Sequence, residues 1–162
     1  MVATRIPRPA WGQFWSNVDQ LPSDADAVNV VTLNNADPAN SGVSVTDSSR
    51  VTFAYAGTYD VAFSAQLDRA AASGTATVDI WPAVDNDDLP DSNTRVTLTG
   101  PANQSKLVAA WNWIITVDAG GYVEIRWSTT DANIILHHED PPTNPARPAI
   151  PSIIVTAVKV DE

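Results

Sequence analysis

Residues Ala110–Trp127 read AWNWIITVDAGGYVEIRW, three tryptophans in eighteen residues. Exposed tryptophans on a strand suit sugar binding, whereas buried ones build a core. The spacing separates the two. Trp111, Trp113, Ile115 and Val117 share one face of a strand, and Gly120 and Gly121 supply a turn able to take positive φ. On the returning strand Val123, Ile125 and Trp127 share one face, with Tyr122, Glu124 and Arg126 on the other. A sugar platform has no need of Ile115, Val117, Val123 and Ile125 in the same rows. The stretch therefore predicts a β-hairpin whose tryptophans lie in the core or in a seam between subunits, where an indole contributes area and usually finds one partner for its N–H. On that reading Trp111→Ala or Trp113→Ala costs ~3–5 kcal/mol.

The same period of two runs outward in both directions. Val51, Phe53 and Tyr55 share a face before Gly57, then Tyr59, Val61, Phe63, Ala65 and Leu67, then Ala76, Val78, Ile80, Pro82 and Val84. On the second of the long runs after Gly57, Thr77, Asp79 and Trp81 form the opposite face. Shorter runs lie at Ala27–Leu33, Thr94–Leu98, Ile134–His138 and Pro151–Val160, separated by turn-rich segments such as NNADPANSG and VDNDDLPDSN. Leu67–Gly74 has helical composition but is too short to hold a helix and reads as a loop. Eight to ten half-buried strands predict an all-β, antiparallel two-sheet sandwich or jelly roll. At 162 residues one domain is expected, over 11–162, preceded by an N-terminal arm over 1–10.

Composition excludes several classes of function. A net charge of −10 disfavours nucleic-acid binding, which needs clustered Lys and Arg. The absence of cysteine excludes disulfides, thiolate metal sites and a cysteine nucleophile. MVATRIPRPAWG lacks the apolar segment of a signal peptide, and no apolar run is long enough to span a membrane as a helix. His137-His138-Glu139-Asp140 places its two imidazoles on opposite faces of a strand, which suits polar residues at a strand end better than a metal site. The acidic run Asp85, Asp87, Asp88 and Asp91 has Pro90 and Val96 where an EF-hand needs glycine and glutamate, so a solvated turn is expected. Asn103-Gln104-Ser105 fits a glycosylation sequon by chance. No nucleophile elbow or glycine-rich phosphate loop is present, and the expectation is a protein without catalytic residues, metal or cofactor.

Several segments carry a resemblance: AWGQFWSNVDQ with VVTLNNADPANSGVSV, then GTYDVAFSAQLDR, VDIWPAVDNDDLPDSNT, AAWNWIITVDAGGYVEIRW and PAIPSIIVTAVKV. Together they resemble a family of phage virion proteins whose jelly roll is similar to tumour necrosis factor, over roughly Trp11 to Val160. The chain departs from the family's pattern in two turns, at Asp85-Asn86-Asp87-Asp88 and at Gly121. The resemblance implies a trimer about a three-fold axis without enzymatic activity, used for capsid decoration, head-fibre knobs or appendage tips. The expected function is a capsid decoration (cement) protein on the outer surface of the phage head. It would bind the major capsid protein, with no nucleic-acid or membrane partner, after assembly in the host cytoplasm. The rival expectation is a tail-fibre or baseplate tip that binds a host receptor or glycan; the short segment before Trp11 favours the free-standing module. Arg5 and Arg8 in the arm, with Trp11, Phe14 and Trp15 after it, are the candidate capsid anchor, a cationic segment followed by interface-type aromatics. Tyr59, Phe63, Trp81, Trp111, Trp113, Tyr122 and Trp127 are the candidates for core or trimer seam.

Overall fold

The computed structural model describes residues 9–161, and every regular element among them is a β-strand. In chain order these are β1 (Trp11–Ser16), β2 (Asn29–Val30), β3 (Asn35–Ala36), β4 (Val43–Thr46), β5 (Arg50–Phe53), β6 (Gly57–Arg69) and β7 (Ser73–Val84). They are followed by β8 (Asp87–Asp88), β9 (Thr94–Pro101), β10 (Leu107–Val117), β11 (Tyr122–Thr129), β12 (Ile134–Leu136) and β13 (Ile153–Lys159). One sheet runs β10-β6-β13-β1-β3, with β12 pairing β6 beyond the end of β13; it is called the β6 sheet below. The other, the β7 sheet, runs β4-β5-β11-β7-β8, with β2 on β11 and β9 on β7. All pairings are antiparallel. The chain is an all-β sandwich, as its alternation predicts.

The inward rows meet between the sheets. From the β6 sheet come Phe14, Tyr59, Val61, Phe63, Ala65, Leu67, Trp113, Ile115, Val117, Ile153, Val155 and Ala157, all buried. From the β7 sheet come Val43, Val51, Phe53, Ala76, Val78, Ile80, Leu98, Val123, Ile125 and Trp127, also buried. Phe53 and Tyr59 bridge the two, their ring centroids 4.3 Å apart, while the Tyr59 hydroxyl donates to the Tyr55 carbonyl at 2.9 Å. Aromatic contacts of this kind add to the gain from area alone.

The opening stretch is not a hairpin. β10 pairs with β6 in one sheet, and β11 pairs with β5, β7 and β2 in the other. The turn at Asp118–Gly121 therefore carries the chain across the sandwich, with the Gly121 amide donating to the Asp118 carbonyl at 3.0 Å. Period-two alternation fixes which residues point inward, yet a strand facing its successor across the core shows the same pattern as a strand paired beside it. Only Gly120 takes positive φ (82°) in this turn. Smaller differences have local causes. Leu67–Gly74 is neither helix nor free loop: it ends β6, turns through Ala72 at φ 61° and starts β7. Tyr55 lies past the end of β5 and is 60% exposed, out of the row begun by Val51 and Phe53. The last strand starts at Ile153 rather than near Ile150.

Of the buried charged side chains described, one has no exposure at all. Arg69, at the end of β6, is fully buried and ion-paired through Nη1 with Asp131 in the loop after β11. Among the described residues its Nε and Nη2 have no hydrogen-bond partner, and Asp131 is the group that offsets burial of the guanidinium. Asp131 in turn accepts from the Asn133 amide at 2.9 Å; that bond first, and the Arg69 hydrogen bond second, hold its carboxyl below the ordinary carboxylate range against the opposing effect of burial. In the unfolded chain this carboxyl titrates near its usual ~3.9. Between that value and the lower folded one the unfolded state binds more protons, so this part of the stability is complete above ~4 and is lost as pH falls further. Asp131→Ala should cost about 3 kcal/mol or more in urea unfolding at neutral pH, because it strands a buried cation. Asp131→Asn should flatten the loss of wild-type stability below about pH 4.

Candidate functional site

The two outward faces of the sandwich differ in chemistry. On the β7 sheet the outward charged side chains are ion-paired, among threonines such as Thr75, Thr77, Thr97 and Thr99. Arg95 grips Asp79 through Nε at 2.9 Å and Nη2 at 3.0 Å, and Asn93 adds a bond at 2.7 Å. Burial pushes the Asp79 carboxyl up, but these hydrogen bonds and the Arg95 charge outweigh it and hold Asp79 below the ordinary carboxylate range. Arg126 donates to Asp88 at 2.8 Å, and Arg50 donates to Glu124 at 3.2 Å with its guanidinium 4.5 Å above the Tyr122 ring. A charged face of this kind is content in water.

The outward face of the β6 sheet has another composition. Its cross-strand rows are Trp15–Ile154–Ser64–Ala110, Gln13–Thr156–Ala62–Asn112 and Trp11–Val158–Asp60–Ile114. Asp60 is the one charged residue in those rows, and it accepts from the Asn112 amide at 3.0 Å. Ile114 is 60% exposed and Val158 41%, and Val108, on the same side of β10, is 54% exposed. On the same outer strand, but with the opposite parity, Trp111 is 58% exposed. A continuous, nearly uncharged sheet face ending in an exposed tryptophan is the composition of an interface core rather than of a solvated surface. This face and the β10 edge form the candidate site, and what they can do is bind another protein surface.

The residues singled out in the sequence distribute as follows. Tyr59, Phe63, Trp113 and Trp127 are in the core. Trp113 stacks on Phe63 with centroids 5.0 Å apart, and its Nε1 donates to the Ser92 carbonyl at 2.9 Å. Trp111 leaves the core: it has the inward parity of Trp113, but on an edge strand inward does not mean covered. Trp81 and Tyr122 are not core residues either, since both lie half-buried on the outward face of the β7 sheet. Phe14 is fully buried and cannot anchor the chain to a partner, because its place on β1 turns it into the sandwich. Trp11 and Trp15 alternate with it, outward and half-buried. Arg5 and Arg8 lie outside the described residues.

His137 and His138 go to separate partners: His137 Nδ1 lies 3.1 Å from Asp19, and His138 Nδ1 lies 2.9 Å from the Ile150 carbonyl. Asp85 receives the Tyr122 amide at 2.9 Å, and Asp88 receives both Arg126 and the Trp81 indole. Sequence reasoning missed Val108, Ile114 and Val158. Their signal was available as apolar residues out of phase with the buried row, Ile114 standing between Trp113 and Ile115.

No protein-family model matches the chain, and no curated protein matches it in sequence. Among solved structures, that of Eiger TNF from S. frugiperda is similar, with a TM-score of 0.58 at 11% identity over 96% of this chain and 95% of that one. The likeness establishes the fold as a jelly roll of the tumour-necrosis-factor type.

Placement of the two neighbouring tryptophans predicts unequal effects. Trp113→Ala should cost ~3–5 kcal/mol in denaturant unfolding, whereas Trp111→Ala should change the stability of the single chain by less than about 1 kcal/mol.

Proposed function

We propose that the chain is a non-enzymatic structural protein of a phage virion. In this reading it assembles as a homotrimer through the outward face of the β6 sheet and the β10 edge, and it decorates the outside of the head. The observation that carries the reading is the contrast between the two outward faces. The outward rows of the β6 face carry Ala62, Ser64, Ala110, Thr156 and Ile154 with Asp60 as their one charge, whereas the β7 face sets the Arg95–Asp79, Arg126–Asp88 and Arg50–Glu124 pairs among its threonines. Small and apolar side chains permit close approach of a second copy without stranding charges. The tumour-necrosis-factor type of jelly roll and the resemblance of the sequence to phage virion proteins support the same reading.

The mechanism is mechanical. A specific, stable contact buries about 800 Å² on each partner, and the proposed trimer needs at least that at each seam. Seated where capsid subunits meet, it adds contacts to the major capsid protein that resist outward pressure. Without cysteine, those contacts rest on burial and hydrogen bonding. The arm with Arg5 and Arg8 is the proposed contact to the capsid, while Trp11 and Trp15, outward and half-buried in the rows of the β6 face, fall to the proposed trimer seam. The assembled virion, formed in the host cytoplasm, is the proposed location.

Sedimentation tests the assembly. The wild-type chain should run as a trimer, and Ala62→Arg should weaken association by ~100-fold or more, as a buried unpaired charge costs about 3 kcal/mol. The fold of the single chain should survive, because Ala62 faces outward. A wild-type chain that sediments as a monomer overturns the assembly. Gold labelling of intact virions tests the location. Label on the head supports decoration, and label on the tail replaces it with an appendage tip. Removal of residues 1–8 should abolish attachment and leave the trimer intact; the cut stops there because Ala10 is buried and its carbonyl receives the Lys159 amide at 2.8 Å.

A further inference from the structure

Trp81 is the one tryptophan on the ion-paired face, and it is placed as a platform. It stands beside Arg126 in the pairing of β7 with β11, one step from the Asp79–Ser128 pair. Its Nε1 donates to Asp88 Oδ1 at 2.7 Å, and Asp88 is itself held by Arg126 at 2.8 Å. The ring edge is thereby tied down while the indole remains partly exposed. It borders an open cleft of about 510 Å³ lined also by Asp79, Asn93, Arg95 and Ser128. Asp79 is fixed by three hydrogen bonds from Asn93 and Arg95, so the polar rim is as rigid as the platform.

We propose that this cleft binds a neutral sugar ring, its C–H face stacked on Trp81 and its hydroxyls bonded to Asp79, Asn93, Arg95 and Ser128. Each feature selects that chemistry. The rim mixes acceptors (carboxylate oxygens, the Asn93 carbonyl) with donors (the Asn93 amide, the Arg95 guanidinium), and Ser128 does both, as a polyol requires. The flat apolar surface is the Trp81 ring, with Leu89 also lining the cleft, and a flat ring matches one face of a pyranose. Cations gain little, because Asp79 and Asp88 already have guanidinium partners, and one indole does not make an aromatic cage. Anions are disfavoured by Asp91 at the cleft and by a chain of net charge −10. An open, shallow site suits the terminal residue of a larger glycan. Because platform and rim are set before the ligand arrives, little ordering has to be offset on binding. The site lies on the β7 sheet, away from the β6 face invoked for assembly, and does not depend on that assembly.

Nuclear magnetic resonance of the indole N–H groups tests it, with glucose, galactose, mannose, N-acetylglucosamine and N-acetylgalactosamine as probes and choline and inorganic phosphate as charged controls. At least one sugar should shift the Trp81 indole signal saturably, with a Kd roughly in the millimolar range. Trp81→Ala, Asp79→Asn and Ser128→Ala should each weaken that titration by about tenfold or more, and Trp111→Ala should leave it unchanged. The remaining indole signals report that each variant is folded. The proposal fails if no sugar moves the Trp81 signal, if the sugar titration persists in Trp81→Ala, or if choline or phosphate alone titrates the cleft.

Discussion

The 4.3 Å contact of Phe53 with Tyr59 is where the two sheets are closed on one another. With no cysteine to cross-link them, the sheets hold together only because each presents an unbroken inward row. That constraint governs the order in which the chain is laid down. β6 and β7 are consecutive and lie in opposite sheets, as do β10 and β11. Each crossing turns two apolar rows toward one another, so residues close in sequence become partners across the core rather than neighbours in a ladder. Tyr59 takes part in another way, since its hydroxyl is satisfied by the Tyr55 carbonyl and the ring can be buried without an orphaned polar group.

Once the interior is assigned in this way, the outward faces are free to diverge. The β7 face accumulates guanidinium–carboxylate pairs, among them Arg95–Asp79 and Arg126–Asp88, which are exposed enough to add little stability of their own. Their effect is to fix geometry, including the attitude of Trp81. The β6 face has shed almost all charge along three rows and four strands. On a chain with nineteen acidic and nine basic residues, such a gap in the charge distribution gives the two outward faces different chemistry.

The sequence carries the inward rows almost completely, because burial on a strand imposes a period of two that no solvent-facing pattern imitates over so many residues. Tyr59, Val61, Phe63, Ala65 and Leu67 are legible for that reason. Pairing is less legible. The Asp118–Gly121 turn has hairpin composition, yet it spans the sandwich, because the partners that fix β10 and β11 lie some fifty and forty residues back, at β6 and β7. Edges are legible least. Trp111 and Trp113 differ by two positions and share a parity, but only Trp113 is covered, with Ser92 receiving its N–H. Nothing local to Trp111 encodes the absence of a strand beyond β10. Phe14 is the converse case, an aromatic near the start of the chain that resembles an exposed anchor until β13 and β1 pair and turn it inward.

The question raised by AWNWIITVDAGGYVEIRW thus has a divided answer. Trp113 and Trp127 are core, one from each sheet, and Trp111 is surface. The tryptophan best placed for a sugar lies elsewhere, on the polar face of β7, where Trp81 follows Asp79 with the same parity. The distinction is physical rather than positional. Trp111 lies on β10, the strand that also exposes Ile114 and Val108, and removing its exposed area from water is favourable. Trp81 sits among fixed donors and acceptors that a purely apolar partner would leave unsatisfied. Two exposed indoles on one small domain are therefore suited to different partners, and the side chains surrounding each, more than the indole itself, decide which.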